Sequence, residues 1–131
     1  MKHYNEIVPL SIAKALFDAG LACKSEKLYD KSTGKVCPAK ASKAAGDDDK
    51  VPAPTYAQVL DTLFDKGFFI RLHPFPTMAT KDFYGFECHL DYQTKKENKI
   101  KTIYIEEFAS FHCCLNQAIS EAIKLIRKSK P

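Results

Sequence analysis

Apolar residues recur along this chain in two rhythms, one of about 3.6 residues and one of two. The first rhythm opens after Pro9. Ile12, Ala13, Leu16 and Phe17 share one helical face and Gly20 follows, so a helix is predicted at about 10–19 with a left-handed stop behind it. From 21 to 53 the pattern weakens. Residues 26–30 (EKLYD) and 34–37 (GKVC) fit a short hairpin turning at 31–34. Residues 39–50, with KASKAAGDDDK as their core, have no large apolar residue, which leaves the stretch 39–53 too little to bury against its ordering entropy. It reads as a mobile loop inside the domain.

The strongest local signal is VPAPTYAQVLDTLFDKGF. Thr55 and Gln58 have the spacing of a capping box, Pro54 and Val59 that of a hydrophobic staple. Val59, Leu60, Leu63 and Phe64 form an apolar face and Gly67 a stop, giving a helix at 56–66. Three strands follow. Residues 68–73 set Phe68, Ile70 and Leu72 against Phe69, Arg71 and His73. Residues 83–92 set Phe86, Cys88 and Leu90 against Phe83, Gly85, Glu87, His89 and Asp91. Residues 100–105 are short and β-branched, with a polar hairpin loop, QTKKENK, at 93–99. Pro74 and Pro76 are expected to end the first of these ladders. The last segment, 110–128, is a long amphipathic helix. Phe111, Leu115, Ala118, Ile119, Ala122, Ile123 and Ile126 keep the helical period, with Ser110 as cap, Glu106 and Glu107 near the start and Lys124, Arg127 and Lys128 near the end.

Helix, irregular segment, helix, three strands and helix make an α+β fold. The expectation is a three- to four-stranded, mostly antiparallel sheet with the helices near 56–66 and 110–128 on one face. The 131 residues favour a single domain with a core of its own. Composition changes this picture little: 45% hydrophobic and 27% charged residues are ordinary for a globular protein. No run reaches the eighteen or so apolar residues of a membrane span, and the N-terminus has no secretory pattern, so a cytoplasmic protein with no membrane partner is expected. Five irregularly placed cysteines (Cys23, Cys37, Cys88, Cys113, Cys114) read as free thiols. The net charge of +4 permits phosphate binding without arguing for it.

The block APTYAQVLDTLFDKGFFI (53–70), a leading SIAKALFDAGL and a closing LNQAISEAIKLI resemble segments of small, uncharacterised phage- and prophage-type proteins of gut bacteria. The resemblance excludes 22–50 and consists of cap and core residues. It implies a fold and a mobile-element origin, and it assigns no catalytic residue. Phe111, His112, Cys113 and Cys114 stand where that group has a Tyr- and Glu-rich helix start.

Chemistry-bearing clusters are sparse, and no catalytic, metal or cofactor residue is assigned. Cys88 and His89 are strand neighbours facing opposite ways, a poor chelating pair. Cys113 and Cys114 lie about 100° apart on a helix, and packing as apolar thiols is their simpler reading. Cys113 beside His112 at a helix start leaves a thiol or zinc enzyme as a minor alternative. Asp47–Asp49 fall in the weak loop, and Asp61 and Asp65 on a solvated helix face. No Gly cluster suits a phosphate loop.

The outer sheet face is the positive feature. Phe69, Arg71, His73, Phe83, His89, Thr102 and Tyr104 would lie opposite the helices. Residues 21–38 could cover them, a protein partner or a second copy could bury them, or bases could stack on them. The reading adopted is a non-enzymatic accessory protein acting through this face, with Phe69, Arg71, His73, Phe83, His89 and Tyr104 as its interaction surface. A single-stranded nucleic-acid binder using these rings, Arg71 and the basic tail KLIRKSK is the alternative.

Overall fold

The computed structural model describes residues 2–21, 23, 25–38, 50–76, 84–94, 99–107 and 111–129. It is α+β, with three α-helices and two three-stranded antiparallel sheets. The chain divides into two compact units, 1–62 and 63–131.

In the first unit, a 3-10 turn at Lys2–Asn5 leads to helix α1, Leu10–Asp18. Ile12, Ala13, Leu16 and Ala19 are buried. Phe17, expected on the same face, is 52% exposed. It lies one residue, or about 100°, beyond Leu16, so the stripe that contacts the core is narrower than the apolar stripe in the sequence. The helix ends as predicted. Gly20 has φ +76°, Leu21 N–H donates to Leu16 O and Gly20 N–H to Phe17 O, both at 3.0 Å. This is a Schellman arrangement closed by buried Leu16 and Leu21.

The hairpin expected after it is present as β1 (Lys27–Asp30) and β2 (Val36–Pro38). A third strand, β3 (Lys50–Pro52), pairs with the other edge of β1, so the order is β2-β1-β3. The loop read at 39–53 is therefore too long at its far end. Residues 50–52 are strand, and Val51 and Ala53 are buried. The reason is tertiary: β1 supplies the ladder, α1 packs on β3, and Lys50 Nζ donates to Asp30 Oδ2 at 3.1 Å. Residues 39–49, Asp47–Asp49 among them, lie outside the described residues. Tyr29 secures the sheet to the N-terminal segment through an Oη–H bond to Val8 O of 2.6 Å.

Helix α2 spans Tyr56–Asp65. Its capping box is formed: Thr55 N–H donates to Gln58 Oε1 at 2.9 Å and Gln58 N–H to Thr55 Oγ1 at 3.2 Å. Pro54 and Val59, the staple positions, are fully buried. Gly67, at φ +91°, has open space where a Cβ would sit, so backbone conformation alone favours glycine there.

The second unit holds β4 (Phe68–Pro76), β5 (Tyr84–Thr94) and β6 (Lys99–Glu107) in that spatial order. All three outrun their predicted lengths. β4 continues through Pro74 and Pro76, which pair with Phe86 and Tyr84. These prolines do not end the ladder because β4 is an edge strand. Both have the same parity, so both missing N–H groups fall on the side away from β5. The hairpin loop is shorter than 93–99, since Gln93, Thr94 and Lys99 belong to strands. Glu106 and Glu107 also belong to β6.

Helix α3, Phe111–Ser129, packs along this sheet. Leu115, Ala118, Ile119, Ala122 and Ile123 meet Cys88, Leu90 and Ile105 in a core where each is at most 4% exposed. Two ring pairs extend it, Phe68 stacked on Tyr92 and Phe86 edge-on to Phe111, each with centroids 5.8 Å apart. Ser110, the predicted cap, lies outside the described residues.

Thr55→Ala is expected to lower the unfolding free energy by about 1 kcal/mol. Gln58→Ala in that background should cost less than it does alone, because the two bonds form one motif. Urea denaturation of the four proteins in the cycle measures both.

Candidate functional site

Side chains on a strand alternate between faces, and α3 takes one face of the β4–β5–β6 sheet. The other face is a grid fixed by register. Phe69, Asp91 and Thr102 form one row, Arg71, His89 and Tyr104 the next, and His73 and Glu87 a third. Ile100, opposite Gln93, lies at one end. Five of the six residues singled out from sequence are thus on one surface. The sixth, Phe83, lies outside the described residues.

Exposure follows the alternation. Cys88 and Leu90 are fully buried, whereas Phe69 is 49% and Tyr104 53% exposed. Ile100, at 74%, is exposed as well. Residues 27–30 and 36–38, within the segment weighed as a cover for this face, are strands β1 and β2 of the first unit's sheet.

Sequence reasoning understated the polar centre of the face. Arg71 grips Asp91 with two bonds, Nε–H to Oδ2 at 2.7 Å and Nη2–H to Oδ1 at 3.2 Å. Thr102 Oγ1–H donates to the same Oδ1 at 2.7 Å. The Thr102 hydroxyl and the guanidinium together hold the Asp91 carboxyl below its ordinary value. Next to this network, His89 Nε2 lies 2.8 Å from Glu87 Oε1. The His89 ring is edge-on to Tyr104, with centroids 4.9 Å apart, and to His73 at 5.9 Å. Asp91 and Glu87 share strand parity with His89, which was the available signal for them.

Phe64 was also misplaced by sequence. The helical period puts it on the apolar face of α2, but it is 63% exposed and edge-on to Phe69 at 6.0 Å. Leu63 is fully buried, and Phe64 lies about 100° round from it. The face therefore has Phe64 and Phe69 at one side, Tyr104 and Ile100 at the other, and hydrogen-bonded polar groups between. The exposed rings of this surface suit flat, apolar contact.

The cysteines divide by position. All five are free. Cys113 is exposed. Cys88 on β5 and Cys114 on α3 are fully buried and hydrogen-bonded to each other. Cys114 Sγ also lies 3.6 Å from Phe86 O. Burial and the neighbouring thiol push Cys88 up to about 12, so it is a poor nucleophile at neutral pH. Among the described residues, no group of three or more His, Cys, Asp or Glu side chains could hold a metal ion, and no helix is long and apolar enough to cross a membrane.

No protein-family model, curated protein or solved structure matches the chain.

Alkylation at pH 8 is expected to modify Cys113 first, and Cys88 and Cys114 only as fast as the fold opens; peptide mass spectrometry over time reads the order. Because the Cys88 value is raised by folding, its contribution to stability is complete below about pH 9 and is lost as pH rises towards 12. Asp91 has the opposite sign. Its folded value is depressed, so its contribution is complete above the usual carboxylate range and disappears as pH falls below about 4. Asp91→Asn should cost about 1 kcal/mol or less at neutral pH, as exposed ion pairs do, and should flatten part of the acid limb in pH-dependent denaturation.

Proposed function

We propose that this chain is a cytoplasmic, non-enzymatic accessory protein, of the kind carried by phages and other mobile elements, which binds a protein partner on the open face of its β4–β5–β6 sheet. One observation carries the reading: Phe64, Phe69, Ile100 and Tyr104 are exposed on that face, around the Arg71–Asp91 ion pair and the hydrogen-bonded His89 and Glu87. Exposed apolar area framing satisfied polar groups is the composition of a protein interface, where rings supply contact area at little entropic cost. The mobile-element part rests on the likeness of 53–70 to phage-type proteins.

The same rings could stack bases, but the charges favour a protein. Arg71 is engaged by Asp91, and Glu87 lies beside His89. A phosphate approaching the middle of the face would meet two carboxylates and no free guanidinium.

The test compares wild type with the double variant Phe69→Ser, Tyr104→Ser. Both positions are half-exposed, so stability should change by about 0.5 kcal/mol or less for each. Affinity capture from the source cell, quantified by mass spectrometry, should enrich a protein with wild type and lose it with the variant. If both capture the same set, the reading fails. A labelled oligonucleotide at low salt should show no shift, and a shift abolished by the double variant would favour nucleic acid instead.

A further inference from the structure

We infer that Cys88 and Cys114 are a redox pair: a low-molecular-weight disulfide oxidises them to a reversible intramolecular disulfide that fastens the start of α3 to β5. The site lies on the covered side of the sheet, away from the ring-bearing face, so the inference goes beyond the reading above.

The ladder and the helix bring together two thiols that the sequence keeps apart. Cys88 stands mid-way along β5, and Cys114 belongs to the first turn of α3, the helix that packs on that strand. Both are fully buried. Cys114 Sγ–H donates to Phe86 O at 3.6 Å, which leaves its lone pairs to accept from the Cys88 thiol. The two sulfurs therefore already face one another, and a short approach separates this contact from an S–S bond of about 2 Å. Cys113 is exposed and lies about 100° round the helix from Cys114, so it does not compete for Cys88.

Packing holds the pair in place. Phe86 has the same strand parity as Cys88, and Phe111 lies three residues before Cys114 on α3. Their rings meet edge-on with centroids 5.8 Å apart, so the ring pair and the thiol pair are adjacent rungs between one strand and one helix. Oxidation adds no atom to this core and removes two hydrogens, a change that close packing tolerates. Burial and the neighbouring thiol push Cys88 up to about 12, so the closed fold keeps its thiol protonated and slow to react. Exchange proceeds as the first turn of α3 parts from the sheet, the kind of local opening to which helix ends are prone.

The chemistry is thiol–disulfide exchange. One cysteine, as thiolate, attacks a sulfur of the small disulfide, whose S–S bond breaks to release one small thiol. The other cysteine, after losing its proton, attacks the protein sulfur of this mixed disulfide. The Cys88–Cys114 bond forms and the second small thiol leaves. Two protein thiols are oxidised, one small disulfide is reduced to two thiols, and these carry off the protons. In a reducing compartment the thiol form prevails, and the link forms as the surrounding disulfide pool is oxidised.

The test incubates the full chain with oxidised glutathione at pH 8 without denaturant, then alkylates and digests it without reduction. Mass spectrometry should find the Cys88 and Cys114 peptides joined, in wild type and in Cys113→Ser alike, and dithiothreitol should separate them. Oxidised Cys113→Ser should unfold at a higher urea concentration than its reduced form. Cys88→Ala, with its fold checked by far-UV circular dichroism, should show no such shift. The cross-link itself is read on the unaltered chain and so does not depend on that variant. Oxidation that stops at a glutathione adduct overturns the inference, as does a bond from Cys88 or Cys114 to any other cysteine. So does a link that forms only in urea concentrations that unfold the chain, or a linked protein that unfolds more easily than the reduced one.

Discussion

The one-sided covering of a three-stranded sheet by a nineteen-residue helix is the constraint on which the second unit depends. Removing Leu90, Ile105, Leu115 and Ile119 from water is worth roughly 1.5–3 kcal/mol for each side chain. No surface bond on the sheet approaches that; the Arg71–Asp91 pair, half open to solvent, is worth about 1 kcal/mol at most. The inner face therefore sets the register. A slip of one residue would carry Cys88 and Leu90 into water and bring His89 and Asp91 under α3.

Everything displayed on the other face is a consequence of that register. His89 can rest against Tyr104, and Asp91 can accept from both Arg71 and Thr102, because the ladder puts them opposite or diagonal to one another. The result is a surface with the Arg71–Asp91 ion pair near its middle and exposed rings at its two sides.

The first unit is organised by local closures. The Asp30 carboxylate accepts from the Ser32 N–H and hydroxyl and from Lys50 Nζ, which together hold it below its ordinary value. That one side chain shapes the β1–β2 turn and secures β3, a segment whose own three residues could not form a strand alone. The Schellman closure after α1 and the capping box before α2 do similar work at the helix ends, satisfying backbone groups that would otherwise have no intrahelical partner.

Local sequence determined what is local in origin. The capping box of Thr55 and Gln58, the stops at Gly20 and Gly67, the β1–β2 hairpin and the alternation of Phe69, Arg71 and His73 against Ile70 and Leu72 all follow from spacing and residue type. The candidate face was legible for the same reason, since a period of two assigns side chains to faces before any fold is known. Tertiary structure decided what depends on a distant neighbour. β3 exists because β1 and α1 lie beside it, β4 runs through its prolines because it has one open edge, and Phe17 and Phe64 are exposed because only part of each apolar stripe meets a core. The thiol pair of Cys88 and Cys114 and the charge pairing around Asp91 likewise needed the ladder and the helix to bring separate stretches together. Periodicity says which way a side chain points; only packing says whether anything is there to meet it.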